Sequence, residues 1–118
     1  MLEIQKTVSG NSPIEDSNGR PNRKAMGYIY GFTDAAMSAL GQNMSDIYIG
    51  MPAIYGVFCA LYPGKEAQYT DFLLDHIGKD ATVMGGALVG GQQYSDYILG
   101  HISSPMQFGM FLLEGDAY

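Results

Sequence analysis

Two histidines, one cysteine and a set of carboxylates are the side chains of this 118-residue chain that could do chemistry. Their spacing decides which reactions are open. Metal binding needs several His, Cys or carboxylate ligands converging on one point, and Asp71, Asp75 and His76 come nearest. On a helix Asp71 and Asp75 stand about one turn apart, while His76 is rotated by about 100° from Asp75, so the three diverge. No metal and no cofactor are expected. His101, Asp96 and Ser103 or Ser104 supply the residue types of a Ser-His-Asp triad, but the sequence holds no Gly-x-Ser-x-Gly elbow. Gly85-Gly-Ala-Leu-Val-Gly-Gly91 has glycines without the Lys-Ser/Thr ending of a phosphate loop. Cys59, the only cysteine, sits in the apolar run Ile54 to Leu61 and reads as a small buried hydrophobe. An enzyme is not expected.

Twelve acidic residues against six basic ones give a net charge of −6 with no Lys/Arg cluster, which argues against nucleic acid as a partner. An acidic chain suits a basic protein surface, where charge raises the association rate. Nine tyrosines without tryptophan supply hydroxyl-bearing rims of the kind binding surfaces use. The pairs Tyr69 with Asp71, and Tyr94 and Tyr97 with Asp96, together with Asp75, are the candidate partner-binding residues. The opening Met1-Leu-Glu-Ile-Gln-Lys6 lacks a basic stretch followed by an apolar one, so no secretory signal is expected in the chain as written. Ile47 to Gly64 is uncharged and about long enough to span a bilayer. Gly50, Pro52, Gly56 and Pro63-Gly64 argue against that, and Tyr48, Tyr55 and Tyr62 place a phenol every seventh residue, which fits a protein interior or interface better than lipid.

These side chains need a scaffold, and the periodicity is helical. The fold class expected is all-α, a small bundle of four to five helices over residues 25–118 preceded by a flexible N-terminal arm, residues 1–24, rich in Ser, Asn, Gly and Pro. Met26, Tyr30, Thr33, Met37, Leu40 and Met44 mark a helix from Arg23 to about Gln42, stopped by Gly41. Ser45 or Asp46 could cap the next segment, with Pro52 forcing a break and a helix over about 52 to 62. Lys65 to Ile77 is amphipathic, with Tyr69, Phe72, Leu73, His76 and Ile77 on one face, Glu66, Asp71 and Asp75 on the other, and Gly78 just past the end. Asp80 caps a segment reaching about Leu99, in which a break near Gly90-Gly91 is open. Met106 to Leu113 is either a short strand or a last helical turn.

Gly27, Gly31 and Ala35 recur every fourth residue inside a helical run. Each interior glycine costs roughly 1 kcal/mol relative to alanine, so the three mark a packing seam where another backbone comes close.

The stretch Gly27-Tyr-Ile-Tyr-Gly-Phe-Thr-Asp-Ala35 resembles the "Gly-Tyr-Ile-x-Gly-x-x-Asp-Ala" helix of the periplasmic immunity proteins that neutralise type VI secretion amidase effectors, the Rap/Tai group. Met51-Pro52, Phe72-Leu-Leu-Asp-His76 and Ala81 to Leu88 follow in the family's order, so the resemblance covers about residues 26–90. Family members pair cysteines and carry an export signal, whereas this chain has the single Cys59 and no signal as written. The resemblance implies an all-helical, often homodimeric protein that plugs the cleft of a cell-wall amidase, with Asp71 and Asp75 meeting basic groups around it. It places the protein in the periplasm; the chain as written, if complete, places it in the cytoplasm. The reading is a non-enzymatic immunity or inhibitor protein with a protein partner. Its rivals are a structural or assembly module, phage or membrane-associated and homo-oligomeric, and a mobile-element inhibitor of a host defence protein.

Overall fold

The computed structural model describes residues 2–8, 13–102 and 105–114. It is all-α, with helices α1 (Leu2–Val8), α2 (Arg23–Ala39), α3 (Ile47–Leu61), α4 (Glu66–His76), α5 (Ala81–Ile98) and α6 (Gln107–Glu114). Two of them share a backbone contact that organises the rest. A Cβ added to Gly27 would overlap the Val83 carbonyl, and one on Gly31 the Ala87 carbonyl; from the other side Gly86 abuts the Lys24 carbonyl and Gly90 the Tyr28 carbonyl. Contact positions rise together along both chains, 24 with 86, 28 with 90 and 31 with 91, so α2 and α5 run parallel. Parallel neighbours need a crossover, and the α3–α4 hairpin supplies it. Both N-termini consequently lie at one end, where Arg23 on α2 meets Asp80, the N-cap of α5, at 3.2 Å.

This contact also explains why α5 does not break at Gly90-Gly91. Lost helix propensity is offset by packing that a side chain at Gly86 or Gly90 would forbid. Asp80 accepts from the Thr82 and Val83 N–H groups at the start of α5, and Asp46 from Tyr48 N–H at the start of α3.

Tyr28, fully buried on α2, is the centre of the core, although the spacing pattern above passes it over. Its ring stacks on Phe32 and Phe108 and meets Phe111 edge-on. Its hydroxyl accepts from Gln5 Nε2 at 3.2 Å and donates to Gln93 Oε1 at 2.7 Å. Gln5 Oε1 accepts from Phe108 N–H, and Gln93 Oε1 from Gln107 N–H, so two remote side chains cap the start of α6. The apolar run after Met106 is thereby a helix and not a strand.

Three local details add to or correct the expectations. In the described part of residues 1–24, Leu2, Gln5 and Ile14 are buried, and Asp16 accepts from the N–H groups of Asn18 and Arg20 to close a tight turn. Asn22 caps α2 through Ala25 N–H and donates to the Phe111 carbonyl. Polar side chains of this stretch make these hydrogen bonds. Secondly, α3 starts at Ile47 and runs through Pro52. Proline there removes the N–H that the Tyr48 carbonyl would accept, and Tyr48 is open to water, which can take its place. Lastly α2 ends at Ala39, and Leu40, expected on the apolar face, lies exposed beyond it.

Candidate protein-binding surface

A helix apolar on all sides is normally enclosed by its fold, and α3 is not. Its fifteen residues, Ile47 to Leu61, include no charge, yet only Gly50, Ile54, Phe58 and Leu61 are buried. Tyr48 is 88% exposed, and Ile47, Met51, Tyr55 and Cys59 are exposed with it. The expectation of a buried Cys59 is therefore corrected: the arc of α3 that meets the core holds Ile54 and Phe58, and Cys59, one residue on, is turned away by about 100°. Next to this face a groove of about 720 Å³ separates α3 from α2, walled by Phe32, Met37, Ile49, Ala53, Val57 and Leu61.

The amphipathic α4 packs against α3 through edge-on contacts of Tyr69 with Phe58 and Tyr62, at 5.6 and 5.7 Å between ring centres. This leaves Asp71 and Asp75 exposed on its outer side. His76 is half-buried, its ring stacked on Phe72 and its Nδ1 2.7 Å from the Phe72 carbonyl. An uncharged face with phenols at Tyr48 and Tyr55 thus belongs to the same helix hairpin as two free carboxylates.

The other sequence candidates lie elsewhere. Tyr69 is only 3% exposed, and its hydroxyl donates to Glu15 at 2.6 Å. Burial first, then the Glu15 carboxylate, pushes its ionisation well above the ordinary phenol range. It is a core ring, not a contact residue, because the face that carries it is the one α4 turns toward α3. Tyr94 is half-buried against Phe32 at 5.3 Å. Tyr97 is half-buried, and Asp96 accepts from Gln92 Nε2 at 2.9 Å and faces His101 at 3.6 Å. These three belong to α5, whose main neighbour is α2, whereas α4 leans on α3; the acidic-aromatic pairs do not form one patch. Gly27 and Gly31 sit in the α2–α5 seam, and Ala35 continues that line at the surface.

A second concavity was not read from the sequence. Along the outer edge of the α2–α5 seam runs a valley of about 390 Å³, floored by Gly31, Ala35, Ala87 and Gly91 and walled by side chains including Tyr30, Asp34 and Leu88. Asp34 lies between Gly31 and Ala35, inside the Gly27–Ala35 stretch that marks the seam, and this is the available signal. Burial, and secondarily Asp34, raises the ionisation of the Tyr30 phenol.

Among the described residues no three of His, Cys, Asp and Glu gather in a way that could hold a metal ion, and no helix there is long and apolar enough to cross a membrane. No protein-family model, curated protein or solved structure matches the chain.

Proposed function

We propose that this protein is a non-enzymatic binding protein of the immunity or inhibitor class, which engages a protein partner through α3, with Asp71 and Asp75 on α4 as the charged border. The observation that carries this reading is the exposure of a helix without a single charge. Leaving Ile47, Tyr48, Met51 and Tyr55 in water forgoes burial worth about 25 cal/mol per Å², a cost that a partner removes. In a protein interface aromatic anchors hold and edge charges steer, and these are the roles this reading gives to the exposed Tyr48 and Tyr55 and to Asp71 and Asp75 of the adjoining helix. The resemblance of residues 27–35 to the immunity proteins named above supplies the partner class, a cell-wall amidase effector.

Calorimetric titration of purified amidase effectors of this class tests the proposal, alongside inhibition of peptidoglycan hydrolysis. The double variant Tyr48→Ser/Tyr55→Ser should weaken binding by at least about tenfold, as expected for aromatic anchors. Asp71→Asn/Asp75→Asn should chiefly slow association and flatten its salt dependence. Binding indifferent to both pairs of substitutions would remove this surface from the function, and no binding to any such amidase would remove the partner class. The uncharged face also supports the rival reading of a homo-oligomeric assembly module, since two chains of charge −6 can meet at α3 without opposing like charges. Light scattering on wild type and the tyrosine variant distinguishes them: assembly that dissolves on substitution favours the module.

A further inference from the structure

The glycines that bring α2 and α5 into backbone contact have a second effect at the outer edge of the seam. Gly31 lets the Ala87 main chain come into direct contact, and position 91 offers no side chain above that contact, so the edge is a valley with a main-chain and alanine floor. One wall carries Leu88, 76% exposed, and Met84; the other carries Tyr30 and the carboxylate of Asp34. Gln92 and Ser95 close the end with polar atoms. No cation pairs with Asp34 among the described residues, whereas Asp16, Asp80 and Glu15 pair with Arg20, Arg23 and Lys65. A single unpaired carboxylate beside an aliphatic shelf and a phenol is the complement of a long side chain with an apolar stem and a cationic head.

We propose that this valley receives an arginine or lysine side chain from a basic peptide segment, with Asp34 as counter-charge, Leu88 and Met84 along the stem, and Tyr30 and Gln92 beside the head. The volume, about 390 Å³, accepts one such side chain with its flanking backbone and little more. The site rests on the reading that the chain binds a protein, but it lies on the α2–α5 side of the molecule and shares no residue with the α3 face. It gives the overall acidity of the chain one defined point of action.

Nuclear magnetic resonance titration of the full chain with the blocked peptide acetyl-Gly-Arg-Gly-amide, and with its neutral citrulline counterpart, is the test. The arginine peptide should shift amide signals in residues 30–35 and 84–95, and citrulline should not. Asp34→Asn, which touches no ion pair among the described residues and should leave the melting curve unchanged, should raise the apparent Kd at least about tenfold, the factor expected for a lost charge-assisted contact. Asp71→Asn/Asp75→Asn should leave the titration as in the wild type, which separates a local site from general electrostatic attraction. Equal shifts with citrulline, equal affinity in Asp34→Asn, loss of binding in the α4 variant, or no change in the valley at millimolar peptide would each overturn the proposal. Because the probe needs no effector, the site can fail while the α3 reading stands, and the reverse.

Discussion

Asp80 does two jobs at one atom pair, capping α5 and pairing with Arg23 on α2. Burial pushes its carboxyl up, but the Val83 N–H, Arg23 and the Thr82 N–H together outweigh this and hold it below the ordinary carboxylate value of 3.8. A lowered folded-state value means stability that is fully present above the unfolded value and lost as pH falls through the folded one. Wild type should therefore exceed Asp80→Asn by a constant margin in urea melts from neutral pH down to about pH 5. The margin should shrink on further acidification; Asn still caps, so the difference isolates the charge. Asp80→Ala loses the cap as well and should cost about 0.5–2 kcal/mol. Cys59 gives a simpler check of side-chain placement. Its exposure on α3 predicts one equivalent of maleimide reacting with the native protein as fast as with the unfolded one, and protection of that thiol by a partner seated on α3.

At the scale of the helix, the glycines divide into those that a neighbouring backbone requires and those it does not. Gly31 faces the Ala87 carbonyl and Gly56 on α3 faces open space, a Cβ there meeting nothing within 4 Å. Both lie inside helices, so both pay a propensity cost of about 1 kcal/mol relative to alanine. Gly31→Ala should nevertheless destabilise by about 1–3 kcal/mol, because two main chains must separate to admit the methyl group. Gly56→Ala should stabilise by up to about 1 kcal/mol. Denaturant melts that moved in the same direction for both variants would deny the parallel α2–α5 contact. The same comparison shows why α3 is unusual: its sequence is apolar enough for a core helix, yet the core needs only one arc of it.

Taken whole, the molecule closes through polar side chains at its centre. Gln5 from α1, Tyr28 from α2 and Gln93 from α5 form one hydrogen-bonded chain that also caps α6. Burial pushes the Tyr28 phenol up to about 12, so it stays a neutral donor and acceptor across the working pH range. Removing one member strands buried partners, Tyr28 above all, and an unsatisfied buried group costs about 1–3 kcal/mol. Gln5→Ala should lower stability by about that amount, although Gln5 lies in a segment whose composition resembles a tail. An unchanged melt would show that α1 contributes no closure. The radius of gyration, 13.1 Å, is that of a closed domain of this length.

Helix content, the Asp46 and Asp80 caps, the Gly41 and Gly78 stops and the small-residue seam all follow from the linear sequence, because each depends on residues within a turn or two of one another. The amphipathic face of α4 was legible for the same reason, and with it the outward direction of Asp71 and Asp75. What only the tertiary structure decided is which surfaces remain uncovered. The run Ile47 to Gly64 looks equally apolar whether a core, a bilayer or water surrounds it, and the packing of α2, α4 and α1 leaves most of α3 outside. Likewise Asp34 acquires a valley, Tyr69 a place in the core and Gln5 two partners through contacts between residues far apart in the chain, the last spanning 23 and 103 positions. Short-range pattern fixes the helices; the burial of a side chain depends on neighbours that the chain brings to it only on folding.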